Sequence, residues 1–325
     1  LIRGDRNMAI QVVRFQTGSG PRWGVHSNGK VAALSGDWPT TGLFLTEGGA
    51  EAASAVSAFA SDLDELELLS PVTQDADYIC QGLNYASHLK EIGRDPKDAV
   101  HNIFFHKASS CICGPKDDVV RPAHVKALDY EIELALIVSR PITWPVEVTD
   151  ENLHEFVGAL TITNDISARD VQVSHEQFCK AKSYRTFGPT GPFLVLLSPD
   201  ELRRYGELVL TLSVDGQERQ RNVAADMIHK PAATLTELSQ IRDLKPGDMI
   251  ATGTPGGVAL KVPGRLAMFV GALMSPIQRS AIIAKRAVKD PDYLRPGNVL
   301  TCDIATPDRA IDLGAQTNRI VEERS

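Results

Sequence analysis

The sequence predicts a mostly β fold with some α, of the α+β class: a β roll or sandwich behind a small N-terminal α+β domain. Three observations lead there. Short apolar runs of strand length recur between turn signals such as Val214-Asp215-Gly216 and Lys245-Pro246-Gly247-Asp248. Helical periodicity is confined to a few short stretches. The chain has 325 residues, 43% of them hydrophobic, which is enough to bury a full core.

Taken in order, residues 1–7 precede a start-like segment at Met8 and are read as vector-derived, outside the fold. Residues 8–70 are the expected N-terminal domain. Apolar segments at 10–15, 23–25 and 31–34 alternate with Gly and Ser turns, and a helical stretch follows near 50–60. Ser70-Pro71 opens the main domain, 71–325, with strands expected at 79–82, 103–106, 131–138, 158–164, 193–197, 208–214 and 249–252. Residues 235–244 carry a short helical pattern with Thr234 or Thr236 as N-cap and Pro246-Gly247 as the stop. The segment 260–287 is apolar and helix-compatible from 267 onward. Beyond it come Pro296-Gly297-Asn298-Val299-Leu300-Thr301-Cys302, a strand near Ile311 and a charged tail.

Composition narrows the function. A net charge of −7 and no basic run interleaved with aromatics make nucleic acid and anionic membrane surfaces poor partners and small metabolites better ones. The longest apolar stretch, around 266–274, is too short to span a bilayer, and the N-terminus lacks a signal-peptide hydrophobic region, so a cytosolic protein is expected. Five cysteines, at 80, 111, 113, 179 and 302, are an odd number without paired zinc spacing, so reduced thiols are expected. Cys111 and Cys113 read as alternate positions on one half-buried strand rather than as metal ligands.

The chemistry concentrates in Asp129-Tyr130-Glu131-Ile132-Glu133-Leu134. On a strand Glu131 and Glu133 share a face, while Ile132 and Leu134 point to the other layer. Two carboxylates in an apolar run cost repulsion and desolvation, which an oxygen-loving divalent cation relieves. The alternative is a solvated face of an edge strand. A third acid, Asp165, follows a second apolar run at 157–163 and favours the cation. Three carboxylates leave positions open for water or substrate, an arrangement suited to Mg²⁺ or Mn²⁺ and to a chelating 2-keto acid. His88 and Glu91 are spaced to share one side of a short helix, as a base and its orienter or as a plain surface pair. Thr254-Pro255-Gly256-Gly257 follows a strand, and its glycines let the backbone approach an anion, although the same residues make an ordinary turn. His101, His106 and His124 read as ordinary histidines.

Six segments occur in order: Gly82-Leu83-Asn84-Tyr85-Ala86-Ser87-His88, Phe105-His106-Lys107, Asp129-Tyr130-Glu131-Ile132-Glu133, Asn164-Asp165-Ile166-Ser167-Ala168-Arg169-Asp170, Lys182-Ser183-Tyr184 and Thr252-Gly253-Thr254-Pro255-Gly256-Gly257. Together they resemble the fumarylacetoacetate hydrolase family over about residues 75–260. The resemblance implies that family's mixed β-sandwich roll, a homodimer, and one Mg²⁺ or Mn²⁺ per subunit on Glu131, Glu133 and Asp165. It also implies that Lys182 contacts a substrate oxyanion or carboxylate, and that Gln172, Thr254, Tyr85 and Arg169 serve substrate binding. Arg169 and Asp170 are alternatively an ion pair beside the metal loop, and Lys107 takes a supporting role. In acylpyruvase members a His–Glu pair sits on a short helix that orders over the substrate, which would make 84–102 a lid. Against the family's usual short loop, 260–290 looks like an insertion, either a surface-packed helix or, as expected from its apolar content, a dimer contact.

The activity so implied is hydrolysis of a carbon–carbon bond in a ketonic acid. An acylpyruvate such as fumarylpyruvate or maleylpyruvate would give pyruvate and a carboxylic acid, in aromatic-compound breakdown. The alternatives are an oxaloacetate decarboxylase or tautomerase, a 2-hydroxy-diene-dioate isomerase, a 2,4-diketo-3-deoxy sugar acid hydrolase, or a scaffold whose metal only stabilises it.

Overall fold

Apolar runs from both ends of the chain meet in one sheet, and that sheet carries the site. The computed structural model describes residues 9–55, 61–175, 177–261 and 274–323. The leader 1–7, the end of the expected helix near 50–60 and the stretch 262–273 fall outside those residues, the last two in part or whole. The main sheet runs Ser61–Asp62, Lys30–Ala33, Gly20–Ser27, Ile10–Thr17, Leu194–Leu196, Val157–Asn164, Ile132–Val138, Met249–Ala251, Tyr78–Gly82, Ile103–Lys107, with Leu68–Leu69 also pairing to Ile10–Thr17. The N-terminal strand joins the later ones directly, with Ile10 opposite Leu196.

A second sheet, Gln217–Val223, Val209–Val214, Val299–Ala305, Asp312–Glu322 and Val119–Arg121, packs on the first. Leu134, Leu136, Ile162, Leu210, Leu212, Leu300 and Ile304 are buried in the core they share. This is the expected α+β sandwich.

Strand Ile132–Val138 is buried at every position and lies between Val157–Asn164 and Met249–Ala251, antiparallel to both. It is therefore a central strand, which removes the solvated-edge alternative for its acids. Its register sets Ile132 opposite Asn164 and Glu133 opposite Thr163, and the Asp165 N–H donates to the Glu131 carbonyl at 2.8 Å. Strand pairing thus brings the three acids together.

Four elements differ from expectation. The helix Pro231–Ile241 starts before Thr234, with Lys230 as N-cap, because Pro231 supplies the fixed φ of a first helical position. Thr236 lies inside it and donates to the Ala232 carbonyl. Near the N-terminus, helical turns begin at Thr41–Leu43 and end at Gly49–Ser54. Cys111 closes the 3₁₀ turn Ser109–Cys111 and Cys113 closes the strand Ile112–Cys113, so the two do not alternate on one strand; all five cysteines are free.

The strand expected near Ile311 is present as Asp312–Glu322 and runs on through most of the expected tail. Its inward positions include Gln316 and Asn318, which read as polar in sequence. Inside, their amides donate to the Gly191 and Asp117 carbonyls at 3.0 and 2.8 Å.

Candidate active site

Glu131, Glu133 and Asp165 are buried, and each offers an oxygen lying within 4.8 Å of the others'. Three cations surround them. Lys182 Nζ donates to Glu131 Oε2 at 2.6 Å and to Asp165 Oδ2 at 2.5 Å. Lys107 Nζ donates to Asp165 Oδ1 at 2.6 Å and to the Phe187 carbonyl at 2.7 Å. Arg169 places Nη2 on Glu131 Oε1 at 2.5 Å, Nε on Asp129 Oδ2 at 2.8 Å and Nη1 on Gln172 Oε1 at 2.8 Å.

Four buried carboxylates, Asp129, Glu131, Glu133 and Asp165, therefore face three cations, and Glu133 is left over. Its one described donor is the Gly253 N–H, at 2.9 Å. Burial first, then Asp165 and Glu131, push Glu133 well above the ordinary carboxylate range. Burial alone would also raise Glu131, but Arg169 and Lys182 overcome it and hold Glu131 down at about 2. Lys182 is raised: burial opposes its charge, and Asp165 and Glu131 outweigh burial. An oxygen-only donor set with one uncompensated carboxylate fits a small hard cation such as Mg²⁺ or Mn²⁺.

The expected base and orienter also come together. They lie on the helix Ala86–Glu91, with His88 Nδ1 at 3.6 Å from Glu91 Oε2. Contact with His88 first, then the Gly257 N–H at 2.9 Å and Lys261 at 3.3 Å, lower Glu91 to about 2. The start of this helix is held from outside: Ser87 N–H donates to Asp226 Oδ2 at 2.9 Å, and Asn222 Nδ2 donates to Ser87 Oγ at 2.7 Å. A cleft of about 500 Å³ beside this helix is bounded by Leu83, Leu89, Ile103 and His229, and by none of the three acids.

Several placements depart from the sequence reading. Arg169 does not pair with Asp170, which instead accepts the Lys126 N–H at 2.8 Å. Both open the helix Arg169–His175, and adjacent helical residues point about 100° apart, too far to face each other. The glycine loop approaches protein carboxylates rather than an open anion site, with Gly253 N–H on Glu133 and Gly257 N–H on Glu91. Thr254 Oγ1 donates to the Ile132 carbonyl at 2.9 Å and accepts from Gln220 at 2.9 Å. Tyr85 is fully buried and bridges Met227 through its backbone.

Asp129 precedes Glu131 by two, the spacing that puts both on one strand face and the signal in sequence that could mark it as a fourth acid of the site. Lys107, a supporting residue by sequence, meets Asp165 directly, and that salt bridge depends on a fold that brings residues 58 apart in sequence together.

The family profile described as Fumarylacetoacetate (FAA) hydrolase C-terminal matches residues 77–321. The chain belongs to the fumarylacetoacetate hydrolase family. A second profile, described as Rv2993c-like, N-terminal, matches residues 11–71. The chain is 34% identical over 333 residues to a Bos taurus protein named oxaloacetate tautomerase FAHD2A, mitochondrial, covering 98% of this chain and 93% of that one. It is 35% identical over 205 residues to the Bacillus subtilis oxaloacetate tautomerase YisK, covering 62% of this chain and 66% of that one. Among solved structures, the fumarylacetoacetate hydrolase of Exiguobacterium antarcticum superposes with a TM-score of 0.70 at 29% identity, over 97% of this chain and 100% of that one.

In this family member the glycine loop joins the helix Ala86–Glu91 to the acids, and one substitution isolates it. Gly257 has φ +103°, and a Cβ there would lie 2.2 Å from the Arg219 carbonyl oxygen. Gly257→Ala is expected to cost about 1–3 kcal/mol, the usual range for forced backbone strain, and to expose the helix Ala86–Glu91 to proteolysis. Thermal melting with limited trypsin digestion checks both; an unchanged melting temperature would refute the close approach.

Proposed function

We propose that the protein is a divalent-metal enzyme that interconverts the keto and enol forms of oxaloacetate or a close 2-keto diacid. The observation that carries this reading is the buried triad with uncompensated Glu133, with Lys182 shared between its other two acids. Relatives named as oxaloacetate tautomerases support proton transfer over the acylpyruvate cleavage that the sequence reading ranked first.

Glu131, Glu133 and Asp165 would hold Mg²⁺ or Mn²⁺, which when bound polarises the 2-keto oxygen as a Lewis acid. The remaining steps belong to the chain. Lys182, relieved of part of its hold on Glu131 and Asp165, donates to a substrate carboxylate or oxyanion and balances its charge. His88 takes a proton from C3 on the ring nitrogen that does not face Glu91. The C–H electron pair becomes the C2–C3 double bond, and His88 returns a proton to the oxygen. Glu91 holds the imidazole in place and favours its charged form during transfer. Arg169 acts through Glu131 rather than on substrate, and Gln172 steadies Arg169. Asn84, Ser87 and the Gly256–Gly257 backbone keep the lid helix over the site, limiting access of water. The homodimer implied by the resemblance belongs to this reading and is checked by sedimentation.

The same residues can serve hydrolysis, with His88 taking its proton from water instead of carbon. The assay that separates the two uses metal-stripped protein given Mn²⁺ or Mg²⁺, with oxaloacetate and a panel of acylpyruvates. Tautomerisation predicts faster decay of the enol absorbance and faster deuterium entry at C3, with the carbon skeleton intact. Pyruvate plus a free acid from an acylpyruvate, with oxaloacetate unaffected, would replace this reading with the hydrolase.

A further inference from the structure

One stretch of backbone, residues 253–260, donates hydrogen bonds to three carboxylates in succession. Gly253 N–H binds Glu133, Gly257 N–H binds Glu91, and the N–H groups of Ala259 and Leu260 bind the two oxygens of Asp129 at 2.9 and 3.1 Å. A metal acid, the lid acid and a fully buried third acid are thus tied to one strap. Asp129 also accepts from the Tyr130 N–H at 2.8 Å and from Arg169 Nε at 2.8 Å, giving each oxygen two donors and filling its acceptor capacity.

Described residues on both sides of a further helix meet the same point. Leu260 N–H binds Asp129, and Leu294 N–H donates to the Leu128 carbonyl at 2.9 Å. Both positions are therefore anchored to the neighbouring residues 128 and 129. Between them the helix Pro276–Ala287, opened by a Ser275/Gln278 capping box, packs against the helix Arg169–His175, whose first residue is the arginine on Glu131.

We propose that Asp129 is a positioning residue that joins the strap to the metal site, orienting Glu131 through Arg169 so that lid and metal site form together. This rests on the metal reading above, and not on which 2-keto acid is the substrate. An acid is needed because every group that faces Asp129 is a donor. In Asp129→Asn the amide nitrogen would meet either Arg169 Nε with the Leu260 N–H or the Tyr130 N–H with the Ala259 N–H, donor against donor, so either orientation loosens the strap and one also frees the arginine on Glu131.

The test measures Mn²⁺ binding without substrate, by the paramagnetic resonance of free Mn²⁺, together with amide exchange. Asp129→Asn is expected to bind Mn²⁺ about 10–100-fold more weakly, the range usual for partners that orient metal ligands, and Mn²⁺ should slow exchange in the lid helix less than in the parent. A folded Asp129→Asn protein with the parent's Mn²⁺ affinity and lid protection would overturn the proposal, since a merely structural acid lowers the melting temperature and nothing else. If the variant gives no cooperative melt, the parent decides: Mn²⁺ must slow exchange at Ala259 and Leu260 as well as at Gly253, and unaltered exchange there overturns the proposal. A parent that binds no Mn²⁺ would instead remove the metal reading itself, and loss of oxaloacetate turnover alone would touch neither.

Discussion

Glu133→Gln is expected to abolish turnover and weaken Mn²⁺ binding by more than about 100-fold, beyond the range for orienting partners, while making the metal-free protein more stable. Both effects come from the same surplus charge. Glu133 is the fourth carboxylate among three cations, and burial with Asp165 and Glu131 raises its pKa. A carboxyl raised in the folded state keeps a proton that the unfolded chain releases, so metal-free stability falls as pH climbs above the unfolded value near 4.5. Each unit of that rise is worth about 1.4 kcal/mol. Glutamine has no proton to lose, so the variant's advantage should be present at neutral pH and vanish below about pH 4. In the parent, Mn²⁺ must displace that proton, so affinity should strengthen with rising pH. Melting curves across pH, with and without Mn²⁺, read all three. A variant that melts below the parent at pH 8 without metal would show that Glu133 is compensated after all.

His88→Ala should lower kcat by about 10²–10⁴, the usual contribution of a positioned proton-transfer group, and leave Mn²⁺ affinity intact. The separation is physical: among the described ion pairs His88 meets Glu91 and none of the three acids. Glu91→Gln should cost less, because the amide oxygen can still accept from the imidazole or from Gly257 while the charge that favours imidazolium is gone. With Glu91 held at about 2, its carboxylate stays ionised across the neutral range and adds no inflection to the pH–rate profile there. Loss of Mn²⁺ binding in His88→Ala would mean that the lid helix supports the metal site structurally, and the proton-transfer role would have to be reassigned.

Much of the site is legible in sequence because its acids are local. Glu131 and Glu133 are two apart on a run apolar enough to be a strand, and the alternation of a strand decides that they share a face. His88 and Glu91 are likewise related by helical spacing. The ordered motifs place the chain in its family, and the expected strands at 79–82, 103–106, 158–164 and 249–252 all form to within a residue or so. What misled the sequence reading was polar residues with inward roles. Gln316 and Asn318 lie inward on a strand that extends beyond its expected place near Ile311 into the charged tail, and neighbouring Arg169 and Asp170 read as a pair although a helix turns them apart.

By itself the sequence determined that this is an α+β chain with a carboxylate-rich strand, a second acid-bearing strand end and a helical His–Glu pair, since these follow from local periodicity and composition. Only the tertiary structure decided that the carboxylate strand is central, that three cations answer four acids and leave Glu133 short, and that residues 253–260 bind Glu133, Glu91 and Asp129 in turn. Those facts depend on sheet register and on contacts such as Asp129 to Leu260, 131 residues apart. Charge balance in a buried site is a sum over neighbours from distant segments, and no local pattern encodes it.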